Sequence, residues 1–171
     1  YEATEYYNIA PAQPNLVRPQ NGWQFGPHTN GNYPNSSCDT NGTGQGCNIQ
    51  FRYVIDDPDF DGNINSTFQV RERTLGKNNK EFSDGNLGTR NRSVQLSDGD
   101  WQWRGRTTDK YANSGYTSWR SFTVDTKAPS QPQLNLEPDF TASTQNEVVA
   151  DAVTDNLVGG VQYYFQASQS S

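Results

Sequence analysis

The chain has 171 residues, with 13 basic and 19 acidic side chains and a net charge of −6. Only 31% of residues are hydrophobic, yet 12% are Phe, Trp or Tyr; disordered chains are poor in rings, so the composition implies a folded chain with a small aromatic core. No apolar run approaches the roughly 18 residues of a membrane helix, the acidic balance argues against a nucleic-acid partner, and His28, the single histidine, excludes a zinc site built on several imidazoles.

In chain order, the first predicted strand is 15–18 (NLVR), confined to a sheet edge by Pro14 and Pro19. A Gly- and Asn-rich stretch carrying Trp23 and Tyr33 leads to Cys38 and Cys47, which bracket DTNGTGQG at 39–46. That sequence holds neither a helix nor a central strand. A disulfide across it closes a loop of about ten residues and contributes about 2–3 kcal/mol by the chain-entropy argument. The expectation is a Cys38–Cys47 bond tying a surface loop outside the sandwich. With no His or further Cys beside them, the two thiols make a poor metal site.

Residues 48–55 (NIQFRYVI) alternate, with Ile49, Phe51, Tyr53 and Ile55 on one face. The following DPDFDG places Asp57, Asp59 and Asp61 like the opening of a calcium loop, with Asp56 and Asn63 as further ligands. Calcium is the one cofactor this pattern suggests. Against it, Phe68 stands where such a loop needs a bidentate Glu, and Pro58 restricts the backbone, so a solvated turn is the competing reading. Strands are then predicted at 66–73, with Phe68 and Val70 together, and at 92–96, with Val94 and Leu96. Residues 100–108 (DWQWRGRTT) put Trp101, Trp103, Gly105 and Thr107 on one face and Gln102, Arg104, Arg106 and Thr108 on the other. The tryptophans read as core, and the arginines as outward partners for Glu72 or an Asp. The run 118–124 turns Phe122 and Val124 inward and leaves Trp119 unassigned. Trp23, Tyr33, Tyr111 and Tyr116 fall in predicted loops and are the candidate ligand contacts, for a glycan or a partner protein. About seven short strands with turn signals between them make a β-sandwich.

Four N-x-S/T sites, at Asn35, Asn41, Asn65 and Asn91, permit glycosylation. The chain opens at Tyr1 and contains no Met. Together with the paired cysteines this reads as a processed extracellular or cell-surface protein.

The chain also repeats itself. APAQP at 10–14 is followed by Asn15-Leu16, and APSQP at 128–132 by Gln133-Leu134. Pro19 and Pro138 then occupy similar places, and Asp57 and Asp155 close the second predicted strand of each unit. The expected organisation is 1–12, the last strand and linker of a preceding repeat; 13–127, a complete sandwich; and 128–171, the first strands (133–137, 146–153, 161–167) of a second, incomplete one.

Residues 96–125, LSDGDWQWRGRTTDKYANSGYTSWRSFTVD, resemble the closing half of bacterial fibronectin type III or immunoglobulin-like surface modules. The matching residues are Leu96, Gly99, Trp101, Trp103, Arg104, Arg106, Asp109, Ser118, Trp119, Phe122, Val124 and Asp125, followed by the linker residues Ala128 and Pro129. Residues 51–61 are similar to the family's second strand and its Asp-Pro-Asp turn. The resemblance covers 13–127 well and 128–167 partly; the long Cys-containing loop and Gly105 depart from it. It implies an all-β, immunoglobulin-like or fibronectin type III-like sandwich with part of a second similar domain. It also implies a non-enzymatic structural or adhesive module in a tandem array whose partners are neighbouring repeats or subunits. The alternative is a module binding a glycan or a host or cell-surface protein through its loop aromatics. A carboxylate-based hydrolase is the third reading.

Overall fold

The alternating runs become strands whose inward faces meet. In the computed structural model, residues 9–27, 36–41, 44–58, 64–74, 79–135, 149–155, 161 and 163–166 are described. The chain divides into two units, Tyr1–Thr126 and Lys127–Ser171. Among the described residues of the first unit the strands are β1 (Asn15–Arg18), β2 (Trp23–Phe25), β3 (Ser37–Cys38), β4 (Cys47–Ile55), β5 (Asn65–Glu72), β6 (Lys80–Asp84), β7 (Gly88–Leu96), β8 (Gly99–Thr108) and β9 (Arg120–Val124). No helix occurs among them.

One sheet is centred on β4. β7 pairs along its whole length, from Cys47↔Leu96 to Ile55↔Gly88, while β1 and β3 share its other edge. The second sheet runs β2-β9-β8-β5-β6, antiparallel except where β2 lies parallel to β9. β1 sits on an edge, as its flanking prolines require.

The sheets pack face to face through rings. Ile49, Phe51, Tyr53 and Ile55 of β4 face Phe68, Val70, Trp101, Trp103, Phe122 and Val124, all buried. The Phe51 ring meets Trp103 edge-on at 4.9 Å between centroids, and Tyr53 lies 4.0 Å from Phe68. Burying such a side chain contributes about 1.5–3 kcal/mol, which explains how a chain poor in aliphatics builds a core. Gly105 is part of this packing: a Cβ there would come within 2.6 Å of the Phe68 ring and 3.0 Å of Pro14. Glycine at this position therefore reflects a close approach of β8 to an aromatic ring.

Two expectations need correction. Cys38 and Cys47 are disulfide-bonded, but the bond does not lie outside the sandwich. The two cysteines are cross-strand partners of β3 and β4, and Cys47 is fully buried in the core. The loop between them is anchored as well. Gly46 donates its N–H to Thr126 Oγ1 at 3.0 Å, and that hydroxyl donates to Asp98 Oδ1 at 2.7 Å. A Cβ on Gly46, which has φ +83°, would strike the Leu96 carbonyl. Trp23, read as a loop residue, lies instead in β2, half-buried, with its ring edge-on to Phe25.

In the second unit the described residues form an antiparallel bridge, Leu134 opposite Ala150. Asn135 donates to the Val149 carbonyl and Asp151 to the Gln133 carbonyl, both at 2.9 Å. Leu134, Val149, Tyr163, Tyr164 and Phe165 are exposed. The strand expected at 1–9 lies, apart from Ile9, outside the described residues; of the strands expected at 133–137, 146–153 and 161–167, residues 136–137, 146–148, 162 and 167 do, and the described remainder forms that one bridge and no longer strand.

Candidate functional site

β9 pairs with β8 only between Gly99 and Trp103, so the far half of that β8 edge needs other partners. The segment 113–119 supplies them. Ser114 N–H donates to the Thr107 carbonyl at 2.8 Å, and Thr117 N–H to the Gly105 carbonyl at 2.8 Å. Where backbone acceptors are missing, side chains stand in: Thr107 N–H donates to Ser114 Oγ at 2.9 Å and Gly105 N–H to Thr117 Oγ1 at 3.1 Å. Upstream, Asp109 Oδ1 caps the turn by accepting from Tyr111 and Ala112 N–H. Gln13 holds the segment from the other side, donating to the Tyr116 carbonyl at 3.1 Å.

This docking lays Tyr116 and Trp119 over the outer face of the second sheet, where Arg71, Arg104 and Arg106 stand. Arg71 lies 4.2 Å over the Trp119 ring and Arg104 4.3 Å over the same ring. Arg104 also lies 4.0 Å from the Tyr116 centroid, and Arg106 4.9 Å. Each guanidinium–ring contact contributes about 0.5–1 kcal/mol when exposed and more when desolvated. Arg104 directs Nε and Nη2 onto Gln69 Oε1, both at 3.0 Å, and Gln69 donates in turn to Glu81 at 3.2 Å. Arg106 Nε is buried and has no hydrogen-bond partner among the described residues. Among the described residues neither Arg104 nor Arg106 forms an ion pair with a carboxylate; aromatic rings hold both, and a neutral amide holds Arg104. Beside this ladder opens a groove of about 310 Å³ lined by Gln69, Arg71, Asn79, Lys80, Glu81 and Trp119.

The candidate ligand aromatics fare differently. Tyr116 is half-buried with its ring engaged by two arginines. Tyr111 is 65% exposed, with the Lys110 ammonium 5.0 Å above its ring. Tyr33 lies outside the described residues. Of the calcium candidates, Asp57 is buried just past β4 and Asp56 accepts its N–H at 3.0 Å, while Asp59, Asp61 and Asn63 lie outside the described residues. Among the described residues no three His, Cys, Asp or Glu side chains are grouped to hold a metal. Asn41, Asn65 and Asn91 are exposed, and Asn35 and His28 lie outside the described residues. No described helix is long and apolar enough to cross a membrane.

The Tyr53 hydroxyl donates to Asp84 at 3.2 Å, and Arg90 lies 3.9 Å from the same carboxylate. Burial of Tyr53, and then the Asp84 charge, push the phenol well above its ordinary pKa. These groups lock β4 to β6 and β7.

Sequence reasoning missed the ladder because it assigned the arginines to carboxylates; the usable signal was two outward arginines followed at short range by Tyr116 and Trp119. Compared with known proteins, the chain matches no protein-family model and no curated protein.

Proposed function

We propose that this chain is a non-enzymatic structural or adhesive module of an extracellular protein, built from tandem immunoglobulin-like or fibronectin type III-like sandwiches. The observation that carries the reading is a pairing made twice. After the first Ala-Pro linker, Leu16 pairs antiparallel with Tyr53; after the second, Leu134 bridges antiparallel to Ala150. A repeated linker leading to a repeated pairing of first and second strands is what a tandem array requires. The strand order supports the family: β1, β4 and β7 on one side and β6, β5, β8 and β9 on the other is the Greek-key arrangement of such domains. The Cys38–Cys47 disulfide accords with an oxidising compartment.

The test uses antibodies raised against the folded first unit. They should label intact cells of the source, or its culture medium, and capture a polypeptide whose peptide map contains further copies of the linker and strand pattern. Labelling only after permeabilisation, or a map with no further copy, overturns the reading.

A further inference from the structure

We propose that the open edge of β7 binds an extended acidic segment of a partner protein by strand addition. The site is independent of the tandem-module reading.

β4 is paired on both sides, but β7, nine residues from Gly88 to Leu96, pairs only with β4 among the described residues. The β4 register fixes which backbone groups of β7 face outward. Gln50 N–H donates to Ser36 Oγ at 3.1 Å, on the β3 side of β4, so the Gln50 peptide groups point away from β7. Gln50 stands opposite Ser93, which makes that a non-hydrogen-bonded pair, and such pairs alternate with hydrogen-bonded ones along an antiparallel ladder. Thr89, Asn91, Ser93 and Gln95 therefore turn their N–H and C=O groups to the free edge. All four residues are exposed. An unpaired row of this length is a template for another strand.

The side chains select which strand. Arg90 lies opposite Tyr53 and Arg92 opposite Phe51. Those β4 residues face the core, so both arginines stand on the inner side of β7, at the seam between the sheets. Arg90 lies 3.9 Å from Asp84, while its Nε is buried without a hydrogen-bond partner among the described residues. Arg92 is exposed and makes no hydrogen bond or ion pair with the described residues. Val94, half-buried, and Leu96, buried, continue the same side. An incoming strand is thus matched by a β-branched residue opposite Val94 and by carboxylates opposite Arg92 and Arg90. The contact at Arg92 is of the non-hydrogen-bonded kind, in which opposed side chains come closest. A second β7 in full antiparallel register would set Arg92 against Arg92, and like charges directly opposite are destabilising. Charge therefore assigns the edge to an acidic strand and not to another copy of β7.

The test titrates the intact chain with the end-capped heptapeptide Thr-Val-Thr-Glu-Thr-Glu-Thr. Antiparallel docking places its valine opposite Val94 and its glutamates opposite Arg92 and Arg90. Amide chemical shifts should move along β7. The same peptide with lysines for glutamates should bind roughly tenfold more weakly or not at all. Methylating the amide nitrogens of the two central threonines keeps both charges, removes donors to the β7 carbonyls, and should abolish binding. R92E should weaken the glutamate peptide and strengthen the lysine peptide, while K110Q should leave both unchanged. Both changes are at exposed positions, and melting temperatures verify the fold; the peptide contrasts stand without the variants. No binding of the glutamate peptide at about 1 mM, shifts only outside β7, or equal binding of the N-methylated form overturns strand addition. Equal binding of the lysine peptide, or R92E without effect on either, overturns the selection for an acidic strand.

Discussion

Trp103 offers the sharpest test of how this core is held. Its side chain is fully buried, its ring lies 4.9 Å from Phe51 and 6.4 Å from Phe68, and its indole N–H donates to the Pro19 carbonyl at 3.1 Å. Trp103→Ala removes the ring from between two sheets whose backbones are pinned by their ladders, so collapse around the gap is limited. The cost is about 3–5 kcal/mol for such a truncation, toward the upper end because the buried Pro19 also loses its donor, an orphaning that costs about 1–3 kcal/mol. A unit spanning Tyr1–Thr126 has, at ordinary stability per residue, about 6–19 kcal/mol in hand. The variant should therefore fold, with a midpoint lowered on the order of 10–20 °C. Urea unfolding followed by circular dichroism gives the free energy, and an unchanged slope confirms that the same unit unfolds. Trp103→Phe separates the two contributions: it keeps a ring and loses the N–H, at about 1–2 kcal/mol. A loss below about 1 kcal/mol for Trp103→Ala would refute the assignment of this strand face to the core.

Cys38→Ala with Cys47→Ala should lower stability by about 2–3 kcal/mol through loop-closure entropy and leave a cooperatively unfolding sandwich; collapse of the whole unit in urea titration would contradict this. Arg104→Gln removes the cation from two rings and should cost about 1–2 kcal/mol, with Arg104→Lys recovering only part because an ammonium does not stack; a change within about 0.3 kcal/mol, small even for an ordinary surface substitution, would show that the ladder carries no stability. For Tyr53, burial and Asp84 raise the folded-state pKa above the unfolded value of 10. The phenol's contribution is fully present below that unfolded value and is lost as pH rises through the folded one, because the unfolded chain releases the proton first. Stability should thus fall above pH 10, and Tyr53→Phe should flatten that limb in unfolding titrations run from pH 8 upward; an equally steep limb in the variant would be the contrary result.

Some of this molecule was legible in its sequence, and the reason is local. β4, β5, β8 and β9 carry period-two alternation, so which residues of each face inward follows from the strand repeat alone. Trp101, Trp103, Phe122 and Val124 are core by that rule and by their rings. Strands β2 and β3 are three and two residues long, too short for a period to show, and β6 carries one apolar residue, Phe82; they exist because a neighbour offers them an edge. Pairing decided the rest. Cys47 enters the core because the β4–β7 register sets it opposite Leu96, a fact absent from the spacing of two cysteines. Arg104 reaches Gln69 because β5 and β8 pair at those residues, and reaches Tyr116 and Trp119 because 113–119 folds back along β8 where β9 does not extend. A side chain's face follows from its own strand; its partners follow from which strands meet and in what register, and only the tertiary structure sets those.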